Sequence, residues 1–297
     1  MKTKKWNLIL VMFLAALFVF SSCEKDNVSK ISEADIMLAE EDALTETLFD
    51  DLMESVDNAI SLVEGQLSSG GLKSMLVSND CPTITVDKPD TTRWPKVITI
   101  DWGEGCEGFY GHTRSGMVKI TITGWMHLPG SMKTVELFDY YINGIKVEGT
   151  KTTSNDGRNN NGNLTFTSVL EGGKIIIPTE DGNTIELTKE FTRIKEWVEG
   201  EGTMNFYDNV FYILGSASGT NFKQEAYERT ITYRLEWAAS CRFIKSGTVV
   251  IVVGDKLPIT LDYGDGTCDN KATITINGET REILLKHRHS NQIRLYP

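Results

Sequence analysis

Few residues in this chain have both the chemistry and the spacing of a reactive site. Asp262, Asp265 and Asp269 crowd one glycine-rich turn, and Asp101, Glu104 and Glu107 stand in a similar turn far upstream. Carboxylates gathered on a glycine loop suit calcium, which takes hard oxygen ligands, so these three aspartates are the candidate metal residues. The EF-hand spacing with its terminal bidentate Glu is missing, and a hairpin turn with solvated acids fits the same letters. His287 and His289 are two apart on a segment read as a strand and hence share a face, but no third ligand is identifiable. Gly103-Glu104-Gly105-Cys106-Glu107-Gly108 matches G-x-G-x-x-G in letters. It leads into another strand rather than a helix N-terminus, and its glutamates would oppose phosphate. No G-x-S-x-G, H-E-x-x-H or P-loop is present, and nothing singles out two of the 41 acids as a glycosidase pair. The reading is a binding or scaffolding protein rather than an enzyme, with no catalytic residue assigned.

The cysteines carry more information. Cys81 and Cys106 are separated by 25 positions, Cys241 and Cys268 by 27. Each pair encloses an aliphatic strand followed by Asp, an aromatic, Gly, an acid and Gly. Asp101-Trp102-Gly103-Glu104-Gly105 thus corresponds to Asp262-Tyr263-Gly264-Asp265-Gly266. Both copies then enter an alternating Thr/Ile strand. One disulfide per copy is the parsimonious pairing, each closing a loop worth about 3–4 kcal/mol through the unfolded state. Cross-copy pairing stays open, because connectivity is not written in sequence. No C-x-x-C occurs, which argues against a redox motif or zinc knuckle.

The copies differ by an insertion within residues 107–116 of the earlier one, holding Phe109, Tyr110, His112 and Arg114. A loop rich in aromatic and charged groups is where a ligand-binding role is expected, unless it folds back over a sheet face. Trp94, Trp102, Trp125, Trp197 and Trp237 could offer sugar-stacking faces, although tryptophans in a β domain are mostly core. Trp102 corresponds to Tyr263 in the other copy, which favours a structural role there.

The elements that position these residues change character along the chain. Lys2, Lys4 and Lys5 precede an apolar run over residues 8–20, closed by Ser21, Ser22 and Cys23. The run is shorter than the roughly 20 residues a spanning helix needs, so it reads as an export signal. The small-small-Cys ending resembles a lipobox, with Phe20 where an aliphatic is usual. Cleavage would leave a diacylglyceryl-modified Cys23, and several acyl chains give permanent anchoring in a lipid bilayer. The acidic start Glu24-Lys25-Asp26 and the whole arrangement resemble outer-membrane and surface lipoproteins of the Bacteroidetes type. That resemblance implies an outer-membrane, lipid-anchored address facing the periplasm or the cell surface. It implies no reaction and no active-site residue.

After the signal (1–22) come a tether (23–34), an amphipathic helix (35–67), a linker (68–80) and a β domain (81–297) with repeat-like units at 81–127 and 241–285. In the helix Leu44, Leu48, Leu52, Val56, Ile60, Val63 and Leu67 fall at helical spacing. It is expected to dock on the main domain rather than to form a stalk or a partner-binding helix. Beyond Asn79 the period becomes two. Asn143-Gly144, Asp156-Gly157, Asp181-Gly182 and Asn277-Gly278 punctuate hairpins. The expected fold class is mainly β, an antiparallel sheet with two related Cys-bridged units and an N-terminal helix. Net charge is −11, and more negative once the leader lysines are gone. Such a surface disfavours nucleic acid and anionic lipid. A glycan or an envelope protein is the expected partner. A carbohydrate-active enzyme or glycan-binding accessory protein is the alternative reading.

Overall fold

The computed structural model describes residues 31–68, 81–107, 112–203, 205–241 and 243–285. One helix, α1 (Glu33–Ser68), precedes a single antiparallel sheet. Its strands are β1 (Thr83–Val86), β2 (Lys96–Asp101), β3 (Cys106–Glu107), β4 (Thr113–Ile122), β5 (Met132–Ile142), β6 (Ile145–Arg158) and β7 (Leu164–Pro178). They continue with β8 (Thr184–Glu199), β9 (Val210–Thr220), β10 (Ala226–Ala238), β11 (Ser246–Val253), β12 (Ile259–Asp265), β13 (Lys271–Ile276) and β14 (Glu279–Leu284). Every strand except β3 pairs with its neighbours in chain order, and β3 pairs beside β4. The sheet is therefore a meander, the topology that short polar turns between alternating strands favour.

The period-two pattern has one destination. Val86, Ile98, Ile120, Val135, Lys151, Leu170, Phe191, Ala217, Arg229, Ile251 and Ile259 are successive cross-strand partners, so one row of side chains crosses eleven strands on the same face. That face is covered by α1. A side-chain capping box opens the helix: the Asp35 carboxylate accepts from the Ser32 N–H (2.8 Å), and Ser32 Oγ accepts from the Asp35 N–H (3.3 Å). The helix then buries Leu48, Leu52, Val56, Ala59, Ile60, Val63 and Leu67. Its first turns join Leu38 and Ala39 to a core made by β10–β14, and the rest packs on a larger core made by β1–β9. The helix crosses the strands obliquely. Glu33 meets Arg281 of β14 (3.1 Å), Thr45 accepts from Lys189 of β8 (3.0 Å), Asp57 pairs with Lys133 of β5, and Glu64 accepts from the Met126 N–H beyond β4 (2.9 Å).

The expected helix and antiparallel β class are both found. One turn signal has a different meaning: Asp156-Gly157 lies inside β6, where the ladder shifts register, and the turn comes later at residues 159–163. Gly157 takes φ +83 to make that bulge.

The two bridged units are like in turn and unlike in setting. Because the path is antiparallel throughout, β2 and β12, nine pairings apart, point in opposite directions. Ile98 and Ile259 nevertheless stand on the same face of the sheet. Seen from that face with the strand pointing up, β4 lies to one hand of β2, and β13 lies to the other hand of β12. What recurs is strand, turn and bridge, not a superimposable small sheet.

Candidate functional site

The bridged turn explains its own letters. Asp101 accepts from the Gly103 N–H at 2.7 Å, and Asp262 accepts from the Gly264 N–H at 2.9 Å, the same side-chain-closed turn in both copies. Gly105 (φ +136) and Gly266 (φ +103) stand where a side chain would be strained. Cys81 is bridged to Cys106 and Cys241 to Cys268, with Cα atoms 6.0 and 5.7 Å apart. The parsimonious pairing is the one found.

The candidate metal aspartates build turns of their own. Asp265 accepts from the Thr267 N–H (3.1 Å) and hydroxyl (2.8 Å), and Asp269 accepts from the Lys271 N–H (2.9 Å). The Thr267 hydroxyl and N–H hold the Asp265 carboxyl below its ordinary range. Asp262, Asp265 and Asp269 thus turn their oxygens to local donors instead of to a shared centre. Among the described residues no three His, Cys, Asp or Glu side chains converge as a metal site.

Of the insertion residues, His112 and Arg114 are both buried, the former at 7 % exposure and the latter at 2 % within β4. The Asn143 amide donates to His112 Nδ1 at 2.7 Å, while its oxygen accepts from the Thr113 N–H at 3.0 Å. These two side chains belong to the interior rather than to an open binding loop. Phe109 and Tyr110 lie outside the described residues, as do Cys23, His287 and His289.

Two surface features emerge that spacing alone did not indicate. On the face away from α1, a groove of about 730 Å³ runs over β7–β11. Glu190, Ser218, Glu228 and Val252 are successive cross-strand partners along it, with Lys174, Thr188 and Thr220 in the next row. Gly172, Gly173, Gly219 and Gly254 open its floor. Thr188 and Thr220 bond to each other through their hydroxyls (2.9 Å), and Lys174 is paired with Glu186 (3.0 Å). The groove therefore sets two exposed carboxylates and a row of hydroxyls among largely apolar surface. Its volume suits a small ligand.

The second feature is a segregation of aromatics. In a meander the loops alternate between two ends, and β1, β4, β6, β8 and β10 all finish at the same one. Trp94 and Trp125 meet there edge to face with centroids 5.6 Å apart. Trp197, Phe211 and Trp237 lean together at 5.3 and 5.7 Å, and Lys195 lies over Phe211 (4.2 Å) and Trp237 (4.9 Å). Trp102 is deeply buried (3 %) against Tyr140 at the other end, in keeping with its structural role. The chain matches no family model, no curated protein and no solved structure.

Proposed function

We propose that this chain is an exported lipoprotein, held at the outer membrane by acyl chains on Cys23, whose β domain binds a ligand or partner at the cell envelope without transforming it. The Lys2–Lys5 patch, the short apolar run and the Ser21-Ser22-Cys23 ending support the address. Two disulfides are consistent with it, since such bridges persist in oxidising compartments. The observation that carries the binding reading is the open groove over β7–β11, which sets Glu190, Glu228 and a row of hydroxyls into a largely apolar surface. Among the described residues no helix is long and apolar enough to cross a membrane, a fact that leaves strands out of account.

The address is tested by Cys23→Ser followed by cell fractionation. Loss of the protein from membranes supports it, and unchanged sedimentation with membranes defeats it. The binding role is tested by screening the exported chain against glycans and envelope extracts, with Glu190→Gln/Glu228→Gln as the control that should lose the ligand. The second reading, a glycan-binding accessory protein, is favoured by the hydroxyl row beside Glu190 and Glu228. Carboxylates that accept from vicinal hydroxyls are a common means of holding sugars. Turnover of a glycan abolished by either single substitution would instead make the protein an enzyme.

A further inference from the structure

The aromatic end of the sheet contrasts with the opposite one. There the turns are mostly polar: Asn143-Gly144, residues 179–183, residues 221–225 and Asn277-Gly278, with Leu257 exposed in the turn after β11. At the aromatic end the 124–132 loop reads Gly-Trp-Met-His-Leu-Pro-Gly-Ser-Met and carries no carboxylate or lysine in a chain that is 24 % charged. Leu128 is 48 % exposed and Met132 40 %, while Trp94 and Trp125 are half-buried beside them. The neighbouring 87–95 loop balances Asp87 and Asp90 against Lys88 and Arg93, and residues 159–163 are uncharged. An acidic protein thus presents a prow of three adjoining neutral, tryptophan-bearing loops on one part of that end, beside a β8–β9 loop that carries Glu201 and Asp208.

The prow is held firmly. Leu128 N–H bonds to the Trp125 carbonyl (2.9 Å), Gly130 N–H to the Asn155 carbonyl (2.8 Å), and Asn155 Nδ2 to the Met126 carbonyl (3.1 Å). Met126 N–H is bonded to Glu64 of α1 (2.9 Å). Leu128 and Pro129 are therefore held out on a fixed loop, while Trp94, Trp125 and Met126 pack partly on the larger core. Tryptophan has an apolar body and a polar N–H, which suits the boundary between headgroups and acyl chains. Nine residues separate Cys23 from α1, so lipid on that cysteine would keep the start of the helix, which lies over β14 at the far end of α1 from the prow, within about 35 Å of a bilayer.

We propose that this end of the sheet rests in the interfacial layer of the bilayer, with Leu128, Pro129 and the Trp94/Trp125 pair as the contact. The proposal builds on the lipoprotein reading, which supplies the nearby membrane. Neutral loops let an acidic protein approach lipid without long-range repulsion, and a rigid apolar tip gains from burial without an ordering penalty. A protein partner is the rival occupant, and the test separates them.

The exported chain from residue 23 onward, carrying Cys23→Ser and made behind a signal that is cut before residue 23, is mixed with phosphatidylcholine vesicles and sedimented, so that neither acylation nor the leader plays a part in the result. Binding with a blue shift of tryptophan emission is expected. Leu128→Asp and His127→Asp should each weaken partitioning about tenfold or more, since each sets a charge that resists desolvation into the contact. Leu257→Asp provides the control. It removes a residue of equal chemistry, 50 % exposed, from the turn after β11 at the opposite end, and should change nothing. Absence of vesicle binding, or equal losses in all three variants, would overturn the proposal and leave a protein as the occupant. Failure of the lipoprotein reading would show instead in fractionation of the unaltered chain.

Discussion

Gly116 and Gly65 mark the two extremes of what a single methyl group does in this protein. A Cβ on Gly116 would land on the Asp139 carbonyl oxygen, and the residue takes φ +85 where β4 and β5 slip register. Gly65 lies on the exposed side of α1, and a methyl group there would meet nothing within 4 Å. Gly116→Ala should therefore cost about 2–4 kcal/mol through clash and backbone strain. Gly65→Ala should stabilise by about 0.5–1 kcal/mol through helix propensity. Denaturant midpoints of the two variants check both signs. Lys96 is a third case: it is fully buried, and its ammonium donates to the carbonyls of Lys88 (2.9 Å), Arg93 (2.9 Å) and Asp90. Burial holds its pKa below the ordinary lysine value, yet the carbonyl cage and the Trp94 face keep a charge at home there. It organises the loop that carries Trp94.

At the scale of the element, α1 decides whether the sheet has a core at all. One face of the meander is mainly apolar, with Lys151, Lys189 and Arg229 set into it, and the helix lies across it from β14 to the loop after β4. Val56 and Val63 are completely buried in that contact. Val56→Ala should cost about 2 kcal/mol, from lost burial plus an unfilled cavity, and Val56→Asp should prevent folding. A pair of urea unfolding curves tests the first, and soluble yield the second. The edges are treated differently. β14 carries Glu279, Arg281 and Glu282, charges that discourage pairing with another copy, whereas β1 is only four residues long.

For the whole molecule, the two bridges pin opposite ends of the strands, Cys81–Cys106 beside the larger core at β2 and Cys241–Cys268 nine pairings away at β12. Cys81→Ser/Cys106→Ser and Cys241→Ser/Cys268→Ser should each remove about 3 kcal/mol. The effects should add within about 0.5 kcal/mol when combined, because nothing couples the sites directly. Thermal unfolding of the two double variants and the quadruple variant measures this. Acid should weaken the whole fold. Glu196 is held below its ordinary 4.5 by the amides of Asn163 and Asn159, Glu225 by Lys256, and Asp181 and Asp265 by neighbouring hydroxyls and amides. A carboxyl depressed in the folded state stabilises above its unfolded value and loses that contribution as pH falls through its folded one. Tm should hold from pH 7 to about 5 and decline below about 4.5. Glu196→Gln should make the decline shallower.

The letters of this chain were enough for most of its local grammar, Asp156-Gly157 inside β6 being an exception. The change of period from 3.6 to 2 placed the helix and the strands, because each period puts apolar side chains on one face only. Spacing of the bridged turns made one bridge per copy the parsimonious pairing, and the fold decided it by bringing Cys81 to Cys106 and Cys241 to Cys268. Neighbour identity across strands was another matter. His112 and Arg114 look like surface chemistry in a loop and are buried, since the chain returns to the ladder sooner than the insertion suggests. Glu190, Ser218 and Glu228 become a groove only through register, and Trp94, Trp125, Trp197 and Trp237 share an end only because the meander reverses at every turn. The opposite hand of the two bridged units follows from an odd number of pairings between them. Local energies choose turn and strand along the chain, while long-range pairing chooses which residues meet, and that choice is made by burial of the face under α1.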